Sequence, residues 1–453
     1  MDLERTEAPM GLHRRSRRLA ALLAAAGLAL GTAACGSGSG SARAGDPNTL
    51  EVWTRSNPDS AATYDRVFAA FTKKTGIKID YQPVVNFDQQ LQSRASVKDL
   101  PDVMINDTAL MGSYQSQGLL KPVDPDTIAG HDQISEKSWS STVGLDGKHY
   151  GIPYSRQAQT LMIRTDWLKK LGLKTPTTWQ QMLDVAKAFA TRDPDGDGKK
   201  DTYGIVAPAS AQNGYATWWG SNFLWQGGAK IIEPDGKGGY RPVMDSAAAV
   251  RTVTWMKDNL FCGVKGVVQP GAVTAVTGTA TNFQDGNAGM YMTGPYNIVT
   301  FDGTLGKDKY EVVPAPAGPA GSDVLADGEN VYFGAGTAKS RQEEALAAFL
   351  ISPEGQRIAM TSVGGHQPVV RVPTNSTLDA AKVTGDPRWS VVQKAYETAS
   401  EEFPNAPDFA PVKQDVADSL NALFTYCGSD VRSGLKELND TLAGDLKDQD
   451  LLK

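Results

Sequence analysis

Apolar and polar positions along the chain follow two periods, one typical of strands and one typical of amphipathic helices. Residues 49–54 (TLEVWT) mix β-branched and apolar side chains and predict a strand. A helix capped by Asp59 or Ser60 follows, and its apolar side chains share one face. Residues 77–81 and 101–106 predict two more short strands. Alternating strands and helices favour an α/β layer with a mostly parallel sheet.

A second block of elements begins near Tyr154. Thr178 and Gln181 form a capping box that predicts a helix. Strands are expected at 310–313 and 331–333, and an amphipathic helix at 342–351. Beyond Pro387 the pattern is predominantly helical. The chain therefore has enough elements for two lobes, each with its own core.

The N-terminal segment has the pattern of an export signal. Arginines at 14, 15, 17 and 18 precede an uncharged run at 19–30, which is too short for a bilayer span of roughly 20 residues. Small residues then lead to Cys35 and a Gly/Ser stretch at 36–41. This resembles a lipoprotein lipobox with Thr32 in the usual leucine position. We expect a signal peptide at 1–34, a lipid on Cys35 and a flexible tether at 35–47. The alternative is a plain signal peptide with an incidental cysteine.

Charge and cysteine content narrow the function classes further. Without residues 1–34, forty basic and forty-eight acidic side chains remain, a net charge of −8. Nucleic acid is therefore not expected as a partner, since its phosphates require clustered Lys and Arg. Cys262 and Cys427 are left as a pair in an exported chain, which predicts a disulfide, with two buried thiols as the alternative.

Six sequence blocks, in order and at the right intervals, resemble the maltose-binding type of bacterial extracellular solute-binding proteins. They cover nearly all of the chain after the signal segment, and they read LEVWT, FTKKTGIKIDYQPV, LPDVMINDTALMGSYQSQGLLKPVD, GKHYGIPYSRQAQTLMIRTDWLKKLGLKTPTTWQQML, GNAGMYMTGPYNI and QEEALAAFLISPEGQ. The resemblance implies the type II periplasmic-binding-protein fold, with two α/β lobes around a cleft. It places residues 48–154 and 316–351 in the N-terminal lobe and 155–315 and 352–453 in the C-terminal lobe. Crossings are implied near 154–157, near 312–316 and just after 351.

The same resemblance nominates cleft residues. Gln157 falls where family members carry a glutamate that bonds sugar hydroxyls, and Tyr296 occupies a tryptophan position that stacks on sugar. The remaining polar candidates follow predicted strands or lie in loops, with a solvated loop or a helix cap as the alternative for each: Arg55, Ser56, Asn57, Asn106, Asp107, Glu329 and His366.

Aromatic side chains suit the C–H faces of a sugar, and amides and carboxylates suit its hydroxyls. Trp218 and Trp219 stand in a segment rich in aromatic and polar residues, NGYATWWGSNFLWQGG. Adjacent residues cannot share one helix face, so we expect one of the two in the cleft. The alternative is a packed core helix.

A possible metal loop lies at 193–201. Asp193, Asp195, Asp197, Lys199 and Asp201 have EF-hand spacing, with glycine at the sixth position and the backbone carbonyl of Lys199 at the seventh. The twelfth position is Gly204 rather than the bidentate glutamate. The loop could hold a structural calcium, and an Asx-rich turn is the competing interpretation.

Enzymatic motifs are absent from the sequence: it has no G-x-S-x-G elbow, no H-E-x-x-H and no phosphate-binding loop. A glycoside hydrolase needs only two carboxylates and is the main rival class. A polyamine, a metal chelate or a phosphate ester in the same fold is a second alternative.

The sequence as a whole is interpreted as a monomeric, lipid-anchored binding protein without a required cofactor. It would lie at the extracytoplasmic face of the membrane and deliver a mono- or oligosaccharide to the permease subunits of an ABC importer.

Overall fold

The computed structural model describes residues 46–275 and 279–452. The predicted signal segment, Cys35 and nearly all of the predicted tether lie outside these residues. Within the described ranges, no helix combines the length and the apolar character that crossing a membrane requires.

Strands and helices alternate along most of the described chain. The strands are β1 (Thr49–Arg55), β2 (Lys78–Val84), β3 (Val103–Asp107), β4 (Ile152–Ala158), β5 (Thr160–Arg164), β6 (Tyr203–Val206), β7 (Ile232–Pro234), β8 (Tyr240–Pro242), β9 (Ala288–Thr293), β10 (Tyr310–Val313), β11 (Val324–Phe333), β12 (Val372–Pro373) and β13 (Ser400–Glu401). The helices are α1 (Pro58–Thr75), α2 (Phe87–Ser96), α3 (Met111–Ser116), α4 (Glu136–Ser140), α5 (Thr165–Leu171), α6 (Trp179–Thr191), α7 (Tyr215–Gln226), α8 (Ala247–Met256), α9 (Thr281–Gln284), α10 (Ile298–Phe301), α11 (Ser340–Ile351), α12 (Pro353–Met360), α13 (Ala380–Thr384), α14 (Arg388–Thr398), α15 (Phe409–Thr425) and α16 (Val431–Asp448).

Two larger sheets organise the fold. In the first, the strand order is β12-β4-β11-β3-β1-β2, with β13 paired to β11, and in the second it is β10-β5-β9-β6. Both sheets are mixed rather than mostly parallel: β11 runs antiparallel to β3 and β4, and β5 runs antiparallel to β9 and β10. The hydrophobic pattern predicted β1, β2, β3, β10 and the end of β11, but burial on both faces does not fix strand direction. Long-range connections bring β4 and β11 into the first sheet from distant parts of the chain.

The chain passes between the two sheets at short connections. Only Gln159 separates β4 in the first sheet from β5 in the second, and residues 314–323 lead from β10 back to β11. The third crossing comes later than the resemblance implied. Helix α12 packs on α1, and β12 pairs with β4 in the first sheet, so residues 353–373 lie with the first sheet and not with the second. An amphipathic pattern locates a helix without saying which lobe receives its apolar face.

Helix α1 shows how local chemistry sets an element. Asn57, not Asp59 or Ser60, caps it: its Oδ1 accepts the backbone N–H groups of both later residues, and Ser60 completes a capping box. Pro58 occupies the first turn, as the missing N–H of proline allows. The helix ends at Gly76, whose φ of 75° is the left-handed conformation that favours glycine.

The C-terminal helices pack on the helices of the second sheet. Helix α15 lies against α7 and α16, and the predicted disulfide between Cys262 and Cys427 is present. Next to it the rings of Phe261 and Phe424 stack with their centroids 4.2 Å apart. The bridge and this stacked pair fix the C-terminal end of α15 to the segment after α8.

Replacing both Cys262 and Cys427 by alanine should lower the free energy of unfolding by about 2–5 kcal/mol, because a cross-link over a long loop restricts the unfolded chain. Urea unfolding of the oxidised wild type and the double variant measures the difference. A reductant should destabilise the wild type and leave the variant unchanged. Equal midpoints for oxidised wild type and variant would contradict this expectation.

Candidate functional site

Arg55 and Asp107 meet at the edge of the first sheet. They are the last residues of the parallel neighbours β1 and β3, whose carboxyl ends lie side by side. Arg55 Nη2 donates to Asp107 Oδ1 at 2.5 Å, and the side chains keep 47% and 36% of their surfaces exposed. The Asp107 carboxylate holds the pKa of Arg55 above its ordinary value. The pair presents both hydrogen-bond donors and acceptors to solvent.

Gln157 and Asp327 form a second polar pair beside the first. They are directly opposed on β4 and β11, and Gln157 Nε2 donates to Asp327 Oδ1. Burial, with the charge of Asp107, raises the pKa of Asp327 to about 6, against the opposing effect of the Gln157 amide. Gln157 Oε1 is enclosed and has no hydrogen-bond partner among the described residues. The pair therefore carries an unused acceptor and a carboxyl group that titrates near neutrality.

Glu329 belongs to a more enclosed network on the same strand. Its Oε2 accepts the hydroxyl of Tyr64 at 2.9 Å, and Arg371 Nη1 lies 3.6 Å from its Oε1. The neighbouring Tyr154 hydroxyl is fully enclosed and, in the described part of the chain, has no hydrogen-bond partner. Burial raises the pKa of both tyrosines. Glu329 thus holds internal side chains in place beneath the exposed pairs.

Tyr296 faces this edge from the second sheet. It lies in the single turn Pro295–Asn297 after β9, and its ring covers Gly294, where an added Cβ would be only 2.3 Å from ring atom Cε1. Its hydroxyl is 3.3 Å from Thr293 Oγ1. Burial raises the pKa of Tyr296, and the charge of Asp327 adds to this effect. The carboxyl group of Asp327 in the first sheet therefore acts electrostatically on the Tyr296 phenol.

Lys413 reaches the same region from α15. Its side chain runs along Gly214, where an added Cβ would be 2.8 Å from Cε. Burial lowers the pKa of Lys413, whereas the carboxylates of Asp107 and Asp327 oppose that shift. The Lys413 stem thus lies along the start of α7, and carboxylates of the first sheet act on its charge.

Three nominated residues are already engaged by the protein. The Asn57 amide oxygen is committed to capping α1. Asn106 is fully buried, and its Nδ2 donates to the hydroxyl of Tyr114 at 2.6 Å. His366 Nδ1 lies 2.9 Å from Asp59 Oδ1 over the start of α1. Ser56, also considered, is buried and hydrogen-bonded to Thr54.

The two adjacent tryptophans have different environments, as helix geometry requires. Trp219 has no exposed surface, and its ring centroid lies 4.8 Å from that of Phe223. It is a core residue, so its nomination as a ligand contact is not supported. Trp218 is half-buried with its ring 6.3 Å from that of Tyr215, and it remains the candidate of the pair.

The aspartate-rich loop folds as a turn stabilised by its own side chains. Asp193 Oδ1 and Oδ2 accept the backbone N–H groups of Gly196 and Gly198. The carboxylates of Asp193, Asp195 and Asp197 lie close together, whereas Asp201 is outside this group. Lys199 Nζ donates to Asp197 Oδ2 at 2.9 Å. Backbone donors and a lysine thus use oxygens that a cation would require, which favours the Asx-rich turn over a calcium site.

Sequence reasoning did not nominate three of the charged residues at this edge, Asp327, Arg371 and Lys413. Asp327 had one signal, since it stands two positions before Glu329 and strand alternation turns both to the same face. Neither basic residue stands in a recognisable motif. Lys413 is brought to the edge only by the packing of α15 on α7.

Comparison with known proteins identifies the relatives of the chain. The family model described as "Bacterial extracellular solute-binding protein" matches residues 56–357, more than half of the chain. A polygalacturonan/rhamnogalacturonan-binding protein, YtcQ of Bacillus subtilis, is 29% identical over 59% of this chain and 55% of its own length. The fructooligosaccharide-binding protein FusA of Streptococcus pneumoniae is 25% identical over 64% of this chain and 57% of its own length. The chain thus spans little more than half the length of these curated relatives.

Solved structures share the fold over more of the chain. Maltose-bound MalE3 of Thermotoga maritima superposes with a TM-score of 0.73, covering 88% of this chain and 100% of its own, at 19% identity. The GacH receptor of Streptomyces glaucescens was solved unliganded and with acarbose. It superposes with a TM-score of 0.72, covering 88% of this chain and 98% of its own, at 19% identity. A Thermotoga lettingae solute-binding protein bound to α-D-tagatose superposes with a TM-score of 0.72, covering 88% of this chain and 99% of its own, at 18% identity. These likenesses confirm the predicted two-lobed α/β fold.

Trp219→Ala should lower the free energy of unfolding by about 3–5 kcal/mol, because a large buried ring is removed from the core. Trp218→Ala should lower the free energy of unfolding much less, since the Trp218 ring is already half-exposed in the folded protein. Urea unfolding of the two variants tests the difference. Similar losses in both would show that Trp218 is a second core residue.

Asp327→Asn should change the pH dependence of stability. The folded-state pKa of about 6 exceeds the ordinary value of 3.8, so the folded form holds the proton more tightly, and stability falls as pH rises through this window. The variant cannot ionise. Its stability relative to wild type should therefore rise between pH 4 and pH 7 by an amount on the order of 2 kcal/mol. A difference that does not vary with pH would contradict the raised pKa.

Proposed function

The chain belongs to the bacterial extracellular solute-binding proteins, and on that premise we propose that it binds a carbohydrate between its lobes and delivers it to the permease of an ABC importer. The ligand lies at the edge where β1, β3, β4 and β11 meet the turn that carries Tyr296. No bond is made or broken in this role.

The observation that carries the proposal is the pairing of donors with acceptors at this edge. Arg55 with Asp107 and Gln157 with Asp327 each place one donor group beside one carboxylate. A sugar hydroxyl both donates and accepts, so each pair can satisfy a hydroxyl without leaving a buried polar group unpaired. Tyr296, and Trp218 if it turns toward the cleft, supply flat surfaces for C–H faces.

The ligand acts by stabilising a closed arrangement of the two lobes. Connections at Gln159 and at 314–323 allow one lobe to move relative to the other, as hinge strands do in closing proteins. A ligand that touches Asp327 and Tyr296 at once stabilises the closed form over the open one. The permease can then recognise the loaded protein by its shape.

The alternative ligands fit this edge less well. A polyamine requires an excess of carboxylates and a phosphate ester an excess of basic groups. Here Arg55 balances the charge of Asp107, and Gln157 is a neutral amide beside the single carboxyl group of Asp327. Tagatose, acarbose and maltose are the ligands of the structurally similar proteins, and the curated relatives include a polygalacturonan/rhamnogalacturonan-binding protein and a fructooligosaccharide-binding protein. Carbohydrate is therefore the class we propose.

Attachment to the membrane completes the proposal. A lipid on Cys35 and a Gly/Ser tether would keep a monomeric binding protein at the extracytoplasmic face, close to the permease. Mass spectrometry of the protein extracted from membranes should detect the acylated cysteine, and Cys35→Ala should release the protein into the medium. Membrane retention of that variant would contradict the anchor.

A thermal-shift screen of the purified protein against malto-, fructo- and galacturono-oligosaccharides should find a stabilising ligand. Binding to the folded state alone raises the free energy of unfolding by about 2.7 kcal/mol at a ligand concentration one hundred times Kd.

Arg55→Ala should weaken binding of that ligand at least tenfold, with little change in the Tm of the free protein. Arg241→Ala is the matched control, because Arg241 forms an exposed pair with Glu233 away from this edge.

Two results would overturn the proposal. Stabilisation by spermidine or glucose 6-phosphate alone would assign the protein to the other ligand classes. Release of reducing ends from a bound oligosaccharide over hours would identify a glycoside hydrolase instead.

A further inference from the structure

A cavity of about 460 Å³ lies where the two short connections between the sheets meet helix α14, and we call it the hinge cavity. Gln159, the single residue between β4 and β5, forms part of its wall. The connection from β10 to β11 contributes Pro314, Ala315 and Ser322, and Val324 follows at the start of β11. Of the described residues that line the hinge cavity, none belongs to the candidate carbohydrate site.

Helix α14 forms the opposite wall of the hinge cavity with two rows of side chains. Val391 and Ala395, one turn apart, are apolar and pack against the core. Beside them Ser390, Lys394 and Thr398 form an exposed polar row with the same spacing. The helix packs on β4 of the first sheet and on β10 of the second. Because the side chain of Ala395 is short, space remains between the helix and the two connections.

The side chain of Gln159 has a fixed orientation and one unused donor. Only 3% of the residue surface is exposed. Its Oε1 accepts from Nδ2 of the buried Asn222 at 2.9 Å, and Asn222 Oδ1 in turn accepts from Leu325 N at 2.9 Å. With Oε1 engaged in this way, Gln159 Nε2 is enclosed and has no hydrogen-bond partner among the described residues. A buried donor without an acceptor is unfavourable, so an acceptor on a bound molecule would offset that cost.

The lining of the hinge cavity favours one chemical class of occupant. Apolar walls with a few polar groups are typical of small-molecule sites, which enclose roughly 300–1,000 Å³. Among the described lining residues, Lys394 carries the only charge, and none is an aspartate or a glutamate. Gln159 Nε2 and Lys394 Nζ are both hydrogen-bond donors. A negatively charged oxygen acceptor therefore fits this lining better than an ammonium group does.

We propose that the hinge cavity is a second binding site, which takes a small molecule with an apolar body and a carboxylate group. The apolar body lies against Ala315, Val324 and Ala395. A carboxylate oxygen accepts from Gln159 Nε2, and the charge of Lys394 attracts the same group. An occupant of this site contacts both connections about which the lobes would move. The inference does not require that the protein bind a carbohydrate.

The test uses hexanoate, octanoate and 4-phenylbutyrate as probes, with hexylammonium as the charge-reversed control. Isothermal titration of the purified protein without carbohydrate gives the Kd of each probe. Thermal unfolding gives the Tm of the unliganded wild type and of each variant, so a loss of binding can be separated from a loss of folded protein.

Three variants alter the hinge cavity. Gln159→Glu keeps an acceptor on the side chain and replaces the free donor by a second carboxylate, Ala395→Phe fills the space, and Lys394→Gln removes the positive charge. Lys436→Gln is the matched control for the last variant, because Lys436 is an exposed lysine on α16 that does not line the cavity.

At least one of the three carboxylates should bind the wild type with a Kd in the millimolar range or tighter, and it should bind more tightly than hexylammonium. Gln159→Glu and Ala395→Phe should each weaken that probe at least tenfold. Lys394→Gln should weaken it several-fold, because a charge is lost and the walls remain, and Lys436→Gln should bind it as the wild type does.

Failure of all three carboxylates to bind the wild type, or equal binding of hexylammonium, would overturn the inference. Unchanged affinity in Gln159→Glu or Ala395→Phe, or a loss in Lys394→Gln that Lys436→Gln matches, would overturn it as well. Should either of the first two variants fail to fold, Lys394→Gln decides, since its side chain is exposed. A wild type that binds a carboxylate probe and no carbohydrate would overturn the proposed function alone.

Discussion

The pairing of β4 with β11 is the constraint on which the rest of the structure depends. Both strands lie in the first sheet: β4 leads to the second sheet across Gln159 alone, and β11 follows residues 314–323, which come from the second sheet. Arg156 secures the pair: it is fully buried, and its guanidinium donates to Glu329 O, to Asn330 Oδ1 and to Ser138 O. Gly328 permits the close approach, because a Cβ there would lie 2.1 Å from Ser155 O. Both terminal nitrogens of this buried charge are hydrogen-bonded, so the register of the two strands tolerates little displacement.

That register decides which side chains lie together at this edge of the first sheet. Asp327 on β11 lies opposite Gln157 on β4, so their side chains meet near the end of that strand pair. Glu329 lies opposite Asp107, the last residue of β3, so β11 extends past the end of β3. A shift by one residue would turn each of these side chains to the other face of the sheet. The raised pKa of Asp327 follows from the same placement, since the strand holds its carboxyl group close to Asp107 and out of water. Electrostatics at the site is therefore a consequence of strand pairing.

Sequence reasoning was strongest for elements and weakest for the roles of single polar side chains. Strand β10 and helices α6 and α11 follow from hydrophobic period and capping, because burial of one face leaves a periodic record in the sequence. Asn57, Asn106 and His366 leave no such record. Whether an amide caps a helix, bonds a buried hydroxyl or faces a ligand depends on partners that tertiary packing supplies. Strand direction and the lobe that receives residues 353–373 depend on packing for the same reason.

The two tryptophans show how far local geometry can substitute for that missing information. Adjacency alone required them to point in different directions, and the structure assigns the core to Trp219. Burial of Trp219 depends on Phe223 one turn later in the same helix and also on Phe261, which comes from another part of the chain. Lys413 extends the argument to a residue without any sequence signal, since its place beside Gly214 depends on α15 being held by Thr217 and Ala211. Strand register thus places the charges of the first sheet, whereas the packing of α15 on α7 places Lys413.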